Sequence, residues 1–358
     1  MLFCLPLDPP AAGWYAQNRK IVHRQHRGPR PAVGGKRKKE SCMSKIVIME
    51  SLGISAQELA ARKAPFEAQG HTFVDYEKTT DRAALIEEAK DADAMILANM
   101  PMPGEVIAAC DKLKFIDVAF TGVDHVGLDA AREKGIAVSN ASGYSNEAVA
   151  ELVLGMVLSL SRNMTAVEQR CRDGKTKDGL VGGELKGKTV GIVGLGKIGS
   201  RSAELFHAFG CTVLAHSRTV HTDAPEYVQQ VSLEELLAQA DIVVLHCPLN
   251  ESTRGMINAE KLALMKPTAM LINVARGPVV VAKDLADALN NGVIAAAGID
   301  VFDKEPPLDA DEPLLHCKNC LVTPHVAFAT RESMTLRAEI VFDNLAAWMD
   351  GKQKNVIL

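Results

Sequence analysis

The fold of this chain is decided by the stretch Lys188-Thr-Val-Gly-Ile-Val-Gly194-Leu-Gly196-Lys197-Ile198-Gly199. An apolar run suited to a buried strand leads directly into three glycines with the spacing GxGxxG, and a helical pattern follows. Gly194 permits a tight turn, Gly196 lets backbone amides approach a pyrophosphate, and Gly199 lets the helix pack closely on the strand. The helix amino terminus, at Lys197 and Ile198, then stabilises the negative charge of the phosphates. The stretch therefore predicts a dinucleotide-binding unit.

Apolar runs and helical patterns alternate on both sides of this unit. Strand candidates are 46–49, 72–75, 94–97, 115–119 and 136–139 before it, and 189–193, 212–216, 242–245, 269–272 and 295–299 from it onward. Strands that are apolar on both faces and separated by helices predict parallel sheets covered by helices. Two such blocks predict an α/β fold of two doubly wound parallel-sheet domains, a Rossmann-type nucleotide domain and a flavodoxin-like substrate domain. The cleft between them is the expected functional site.

The order of the blocks predicts the domain limits. A long apolar helix at 147–161 separates the blocks, and the amphipathic segment 331–349 is expected to return to the first one. Residues 43–142 and 328–358 then form the substrate domain, and residues 143–327 form the dinucleotide-binding domain. Residues 1–42 lack periodicity and are predicted to be a disordered basic tail, with Met43 as an alternative start of the protein. A targeting or nuclear-localisation segment and a nucleic-acid-binding arm are the alternatives for this tail.

Charge and composition exclude several classes of protein. The chain carries a net charge of −4, but residues 1–42 hold nine Lys or Arg against two acids, which leaves −11 for residues 43–358. So acidic a body argues against nucleic-acid binding. No apolar run reaches the roughly 18 residues that span a bilayer, so no membrane association is expected. Most of the eight cysteines lie in apolar stretches, as reduced thiols do in the cytoplasm, and the lone Cys317-Lys-Asn-Cys320 pair predicts no metal site.

The residues after the second strand of the dinucleotide-binding domain bear on the cofactor. An acid at this place bonds the ribose hydroxyls of NAD, yet the sequence reads His216-Ser217-Arg218. Ser217 offers a hydrogen-bond donor, and Arg218 offers a planar fork that suits a 2′-phosphate. We therefore predict NADP as the preferred cofactor. The alternative is a solvated Arg218 in an enzyme that uses NAD.

Further motifs occur in a fixed order along the chain. They are Phe120-Thr-Gly-Val-Asp-His-Val126, Ser142-Gly-Tyr-Ser-Asn-Glu-Ala148, His246-Cys-Pro-Leu249 and Lys266-Pro-Thr-Ala-Met-Leu-Ile-Asn-Val-Ala-Arg-Gly277. With them, nearly all of residues 45–358 resembles the D-isomer-specific 2-hydroxyacid dehydrogenases, which include D-lactate and phosphoglycerate dehydrogenases. The resemblance implies an oxidoreductase that transfers a hydride between NAD(P)H and a 2-oxo acid to give a D-2-hydroxy acid. It also implies a homodimer.

Three polar residues downstream of the glycine loop suit this chemistry. Arg276 can clamp the substrate carboxylate and polarise the adjacent carbonyl. His325 can donate the proton, because an imidazole titrates near physiological pH. Glu305 can favour the imidazolium and fix its orientation. We predict these three as the catalytic residues.

The resemblance also implies contacts with the cofactor and the substrate. Cofactor contacts are expected at Cys247, Pro248, Thr253, Val274 and Ala275, while Asp300 either contacts the nicotinamide side or orients the site. Substrate contacts are expected at Asn99, Met100, Gly122 and Arg276, with backbone amides of the 99–100 loop holding a carboxylate.

The substrate-side residues depart from the usual family pattern. The loop Asn99-Met-Pro-Met102 contains no cation for a substrate phosphate, and Phe328 is bulky where many relatives carry Gly or Ser. Met100, Met102 and Phe328 are interpreted either as an apolar wall for a substrate side chain or as internal packing. We expect an unphosphorylated substrate. The alternatives are a phosphoglycerate dehydrogenase and a dinucleotide-sensing, corepressor-like binding protein.

Overall fold

The computed structural model describes residues 43–305 and 307–358. The chain divides into two units, residues 1–42 and residues 43–358. The predictions for the basic tail therefore lie outside the described residues. Within the described part, no helix is both long and apolar enough to cross a membrane.

The first sheet has five parallel strands in the order β2-β1-β3-β4-β5. These strands are β1 (Lys45–Ile48), β2 (Thr72–Asp75), β3 (Ala94–Leu97), β4 (Phe115–Val118) and β5 (Ala137–Asn140). Its covering helices are α1 (Ala56–Glu67), α2 (Arg82–Ala89), α3 (Gly104–Ala109) and α4 (Leu128–Glu133). All residues of β3 and β4 are buried, as expected for central strands covered on both faces.

The second sheet has seven parallel strands in the order β12-β11-β10-β9-β6-β7-β8. These are β6 (Thr189–Val193), β7 (Thr212–His216), β8 (Val228–Gln230), β9 (Ile242–Leu245), β10 (Met270–Asn273), β11 (Ala296–Ile299) and β12 (Cys320–Val322). The helices between them are α7 (Lys197–Ala208), α8 (Leu233–Gln239), α9 (Ala259–Leu262) and α10 (Ala282–Asn290). The edge strands β8 and β12 were not predicted, because three residues are too few to show a periodicity. Two doubly wound parallel-sheet domains are thus confirmed.

Three helices lie outside the two alternating blocks: α5 (Asn146–Ser161), α6 (Met164–Arg172) and α11 (Arg331–Met349). Val153 and Met156 of α5 belong to the core of the second sheet. In contrast, Phe342 and Leu345 of α11 belong to the core of the first sheet, and Trp348 stacks on Phe115 with ring centroids 4.9 Å apart. The chain therefore contributes to the first sheet's core twice, before and after the second sheet.

The carboxyl ends of parallel strands carry the loops that form a site. In the second sheet, β6 lies between β7 and β9, so the strand order reverses there and opens a crevice above the glycine loop. The loops after β4 and β5 of the first sheet and those after β6, β9, β10 and β12 of the second sheet meet at one cleft.

Candidate active site

The cleft between the two sheets has a volume of about 490 Å³. Eight of the residues predicted for the site line it: Gly122, Ile198, Cys247, Pro248, Val274, Ala275, Arg276 and His325. A larger cavity, about 670 Å³, lies at the opposite, amino-terminal end of the second sheet's strands. None of the predicted site residues lines that larger cavity, so size alone does not locate the chemistry.

The glycine loop has the geometry that a pyrophosphate requires. Gly194 has a φ of +101°, and a side chain there would lie 2.7 Å from the amide nitrogen of Cys247. A Cβ on Gly199 would lie 2.0 Å from the carbonyl oxygen of Gly194, so only glycine lets α7 approach β6. A Cβ on Gly196 would meet no atom within 4 Å. That open space lies at the amino terminus of α7, where a dinucleotide phosphate fits.

The end of β7 presents no acid to a ribose. Ser217 donates a hydrogen bond from Oγ to the carbonyl oxygen of Thr219 at 2.9 Å, and Arg218 is exposed.

In the loop after β9, the Thr253 hydroxyl donates to the carbonyl oxygen of Pro248 at 2.7 Å. Thr253 therefore supports the Cys247-Pro248 turn and does not itself line the cleft.

His325 and Glu305 form a hydrogen-bonded pair. Nδ1 of His325 lies 2.7 Å from Oε2 of Glu305, although the two residues are 20 positions apart. The imidazole is 12% exposed, and its ring is perpendicular to those of Phe120 and Phe328, at centroid distances of 5.7 and 5.4 Å. With Nδ1 bonded to a carboxylate, Nε2 is the nitrogen left to exchange a proton with a substrate.

Asp300 is fully buried and fixes the loop that carries His325. Its Oδ1 accepts hydrogen bonds from the Val326 amide at 2.9 Å and from the Thr323 hydroxyl at 2.5 Å. Its Oδ2 accepts from the Ala327 amide at 2.9 Å, and its backbone oxygen accepts from the His325 amide at 2.7 Å. Burial raises the pKa of Asp300, although these hydrogen bonds oppose the shift. Of the two expected roles, orientation of the site is the one the contacts support.

Arg276 extends from the turn after β10 into the cleft. Its Nη1 donates to the Ala275 carbonyl oxygen at 2.8 Å, and its Nε lies 3.1 and 3.2 Å from the two carboxylate oxygens of Asp124. The turn itself is shaped by Asn273, whose side chain bonds the Ala275 amide and the Arg276 carbonyl. A Cβ on Gly277 would lie 2.0 Å from the carbonyl carbon of Phe302, which explains glycine directly after the arginine.

Two aromatic residues and one acid of the site were not assigned a role from the sequence. Phe120 packs edge-on against Phe328 at 4.9 Å, and Tyr144 contacts both rings, at 6.1 Å from Phe120 and 6.4 Å from Phe328. Burial raises the pKa of Tyr144 to about 12, so its hydroxyl stays protonated. Phe120, Asp124 and Tyr144 all lie in the quoted motifs, so the signal was present. Nothing in the pattern showed which side chains face the cleft.

The structure does not bring Asn99 and Met100 into the lining of the cleft. Met100 and Met102 are fully buried in the core of the first sheet. The amides of Ala98 and Met100 donate to Oε1 of the buried Glu50, at 2.8 and 2.7 Å. This internal carboxylate takes the Met100 amide that was predicted to hold a substrate, and Asn99 accepts from Lys78 at 3.0 Å. Internal packing of the two methionines is therefore the alternative that the structure supports.

Comparison with known proteins shows which family this chain resembles in sequence and fold. A family model described as "D-isomer specific 2-hydroxyacid dehydrogenase, NAD binding domain" matches residues 154–327. A hydroxypyruvate reductase of Blautia hydrogenotrophica is 35% identical over 325 residues, which cover 87% of this chain and 99% of the relative. A glyoxylate reductase of Korarchaeum cryptofilum is 36% identical and covers 77% of this chain and 85% of its own length. The solved D-lactate dehydrogenase of Aquifex aeolicus, complexed with NAD and lactic acid, has a TM-score of 0.77 and 29% identity, over 86% of this chain and 96% of that one.

The fold and the cleft define a two-domain dehydrogenase with a nicotinamide dinucleotide cofactor. The chain belongs to the D-isomer-specific 2-hydroxyacid dehydrogenase family. It is an oxidoreductase of 2-oxo and D-2-hydroxy acids, as the motifs predicted.

Proposed function

We propose that this enzyme reduces a small, unphosphorylated 2-oxo acid, with Arg276 binding the carboxylate and His325 donating the proton. The observation that carries this proposal is the meeting of Arg276 and the His325–Glu305 pair at one cleft beside the glycine loop. These residues come from three separate loops of the dinucleotide-binding domain, and each side chain is held by a hydrogen bond.

In the proposed reaction, each residue has one part. Arg276 binds the carboxylate and stabilises the negative charge that develops on the carbonyl oxygen. His325 delivers the Nε2 proton to that oxygen, while Glu305 on Nδ1 stabilises the positive imidazole and fixes its tautomer. A reduced nicotinamide bound at the glycine loop would supply the hydride that forms the new C–H bond and would itself be oxidised, while the proton from His325 forms the O–H bond. Phe120 and Phe328 contact each other and the imidazole, so these two rings keep water from one side of His325.

Two features of the cleft support an unphosphorylated substrate. Arg276 is the one Lys or Arg among the described residues that line the cleft, so a phosphate in addition to the carboxylate has no second cation. The opposite wall is aromatic, with Phe120, Tyr144 and Phe328 beside the imidazole. Hydroxypyruvate and glyoxylate reductases stand among the relatives, and both are named for small 2-oxo acids without phosphate.

We also propose NADP as the preferred cofactor. Arg218 is exposed at the end of β7, directly after Ser217, and neither residue is an acid that would repel a 2′-phosphate. A structural neighbour with 26% identity, an acyclic imino acid reductase, was solved with NADPH.

The enzyme is further proposed to work in the cytoplasm as a homodimer. All six cysteines in the described part of the chain are free thiols, as a reducing compartment favours. The surface that we propose for the contact with a second copy is α6, none of whose residues is buried, with the apolar side chains of Met164 and Val181, which expose 53% and 79% of their surface. Sedimentation of the purified protein at micromolar concentration tests this directly, since a mass near 38.5 kDa would contradict the dimer.

Initial rates with a panel of 2-oxo acids test the main proposal. The panel contains glyoxylate, pyruvate, hydroxypyruvate, phenylpyruvate, 4-methyl-2-oxopentanoate and 3-phosphohydroxypyruvate, each with NADPH and with NADH. We expect the highest kcat/KM with NADPH and an acid without phosphate. Preference for 3-phosphohydroxypyruvate would favour a phosphoglycerate dehydrogenase instead. Dinucleotide binding without turnover of any acid would favour a dinucleotide-sensing binding protein.

A further inference from the structure

Arg276 is clamped by a carboxylate of the chain itself. Nε of Arg276 lies 3.1 and 3.2 Å from the two oxygens of Asp124, and Nη2 lies 3.1 Å from Oδ1. Asp124 belongs to the loop after β4 of the first sheet, whereas Arg276 follows β10 of the second sheet. The ion pair therefore joins the two walls of the cleft. The two side chains are 21% and 35% exposed, so water screens their attraction only in part.

The loop around Asp124 is built to receive the guanidinium. A Cβ on Gly122 would lie 1.8 Å from Nη2 of Arg276 and 2.9 Å from Oδ1 of Asp124, so any other residue there would displace the pair. His125 anchors the same loop, because its Nε2 lies 2.8 Å from the Ala98 carbonyl oxygen and its own carbonyl accepts from the Met102 amide. Asp124 is thereby fixed at a defined place beside Arg276.

The contacts of Arg276 leave room for one carboxylate. A guanidinium has five N–H groups. Nε is bonded to Asp124, one N–H of Nη1 is bonded to Ala275, and Nη2 has Asp124 beside it. One N–H remains on each terminal nitrogen, which is the number that the two oxygens of a single carboxylate accept.

The guanidinium of Arg276 already has an anionic partner before a substrate binds. Arg276 is paired with Asp124, and Glu305 is hydrogen-bonded to Nδ1 of His325. Burial by itself would raise the pKa of Asp124, but the charge and hydrogen bonds of Arg276 outweigh it and hold that pKa below its ordinary value. Asp124 is therefore ionised at neutral pH. Once the first carboxylate of a substrate binds Arg276, two anions share that guanidinium, so a second negative group in the cleft would be repelled by Asp124 with no further cation to offset the repulsion.

We propose that Asp124 determines substrate charge: it positions Arg276 for one carboxylate and disfavours 2-oxo acids that carry a second negative group. The inference rests on the proposed reduction of a 2-oxo acid in this cleft. The proposed function explained the preference for unphosphorylated acids by the lack of a second cation among the described residues of the cleft. The repulsion from Asp124 is an additional cause, and it acts against dicarboxylic as well as phosphorylated acids.

A binding measurement tests the proposal without turnover. Oxamate and oxalate have nearly the same shape, but oxamate carries one negative charge and oxalate carries two. Their dissociation constants are measured by the fluorescence of bound NADPH for the wild type, for Asp124→Asn, and for the control Asp129→Asn, an exposed acid on α4. We expect Asp124→Asn to raise the affinity for oxalate relative to oxamate by about tenfold, and Asp129→Asn to leave the ratio unchanged.

A rate measurement separates this inference from the proposed function. Oxaloacetate is compared with 2-oxopentanoate, in which an ethyl group replaces the second carboxylate. We expect Asp124→Asn to raise the ratio of kcat/KM for the dianion over the monoanion by about tenfold, even if both values fall because Arg276 is held less well. Turnover with an unchanged ratio would overturn the role of Asp124 and leave the function intact. A raised affinity for oxalate relative to oxamate, without turnover of any 2-oxo acid, would overturn the proposed function and support the role of Asp124.

A purely structural role has a different signature. It would weaken both ligands by the same factor and lower the melting temperature, with no change in either ratio. If Asp124→Asn does not fold, Asp124→Ser removes the same charge with a smaller side chain, and the same shift of both ratios is expected. Equal losses for both ligands in that variant would contradict the proposal.

Discussion

The two walls of the cleft hold their side chains by different forces. On the dinucleotide-binding wall, His325 is fixed by Glu305 and by the Asp300 hydrogen bonds, and Arg276 is fixed at the turn after β10. The substrate-domain wall is the one formed by the core of the first sheet, which also includes Tyr144, two residues beyond the predicted limit at residue 142. There, Phe120, Tyr144 and Phe328 pack through ring contacts between 4.9 and 6.4 Å. Directional bonds suit groups that must meet reacting atoms, because a displacement of about 1 Å costs much of the rate. Apolar packing suits a surface that selects substrates by shape.

Because of this difference, we expect substitutions on the two walls to have different effects on activity. Substitutions on the dinucleotide-binding wall should change the rate or the cofactor for every acid alike. Substitutions on the substrate-domain wall should change the order in which acids are preferred. Three variants test this division, from the largest expected effect to the smallest, and a fourth, at the buried Asp117, should change stability alone.

Replacing the proton donor should give the largest loss. His325 has a φ of +55°, a left-handed conformation that asparagine also tolerates, so His325→Asn removes the imidazole with little backbone strain. We expect kcat to fall about a thousandfold for every acid, because proton donation contributes roughly 10²–10⁴ to such rates. Steady-state rates and NADPH fluorescence measure this, and dinucleotide affinity should stay unchanged. A loss confined to some acids would break the division between the walls.

Cofactor choice should respond in the same domain, at the end of β7 and outside the lining of the cleft. Arg218→Ala is expected to raise the KM for NADPH about tenfold and to leave the KM for NADH unchanged, since one exposed charged hydrogen-bond partner of the 2′-phosphate is lost. The exposed Arg132 on α4 provides the control variant Arg132→Ala. Equal changes for both dinucleotides would contradict a phosphate contact at Arg218.

On the opposite wall, Phe328→Ala should reorder the substrates. The ring lines the cleft and packs edge-on against Phe120, so its removal creates space beside the carbonyl site. We expect kcat/KM for phenylpyruvate to rise about tenfold relative to pyruvate, which matches the modest energy of apolar pocket contacts. Phe209→Ala, at a 43% exposed surface position, is the control. An equal fall for both acids would assign Phe328 to the proton-donor side.

Asp117 should affect stability alone. It is fully buried in β4, and burial raises its pKa to about 8, although a hydrogen bond from Asn344 opposes the shift. The ordinary aspartate pKa is about 3.9, so between pH 4 and 8 the unfolded chain loses a proton that the folded chain keeps. The free energy of unfolding therefore decreases as pH rises through this window. Asp117→Asn abolishes that dependence, so its melting temperature should rise relative to the wild type between pH 5 and 8, with unchanged kcat. A constant difference would show that Asp117 is ionised when folded.

Much of the dinucleotide-binding wall followed from the sequence because its signals are local. The three glycines, the Arg276-Gly277 turn and the strand pattern each depend on residues within a few positions of one another. The substrate-domain wall depends on contacts between distant segments, such as Phe120 with Phe328 and Asp124 with Arg276. Met100 shows what the sequence did not reveal. It was expected to contact the substrate, but it lies in the core and its amide donates a hydrogen bond to Glu50.

The sequence by itself determined the two parallel-sheet domains, the dinucleotide loop and the family, because strand periodicity and glycine spacing act over short stretches. Only the tertiary structure decided that Asp300 fixes the His325 loop by hydrogen bonds and that Phe120 and Tyr144 form the aromatic wall. It also decided that Asp124 is paired with Arg276. These depend on which side chains the two sheets bring within 3 to 6 Å of each other. The physical reason is that packing between distant segments selects partners by shape and charge, and that selection has no fixed spacing along a chain.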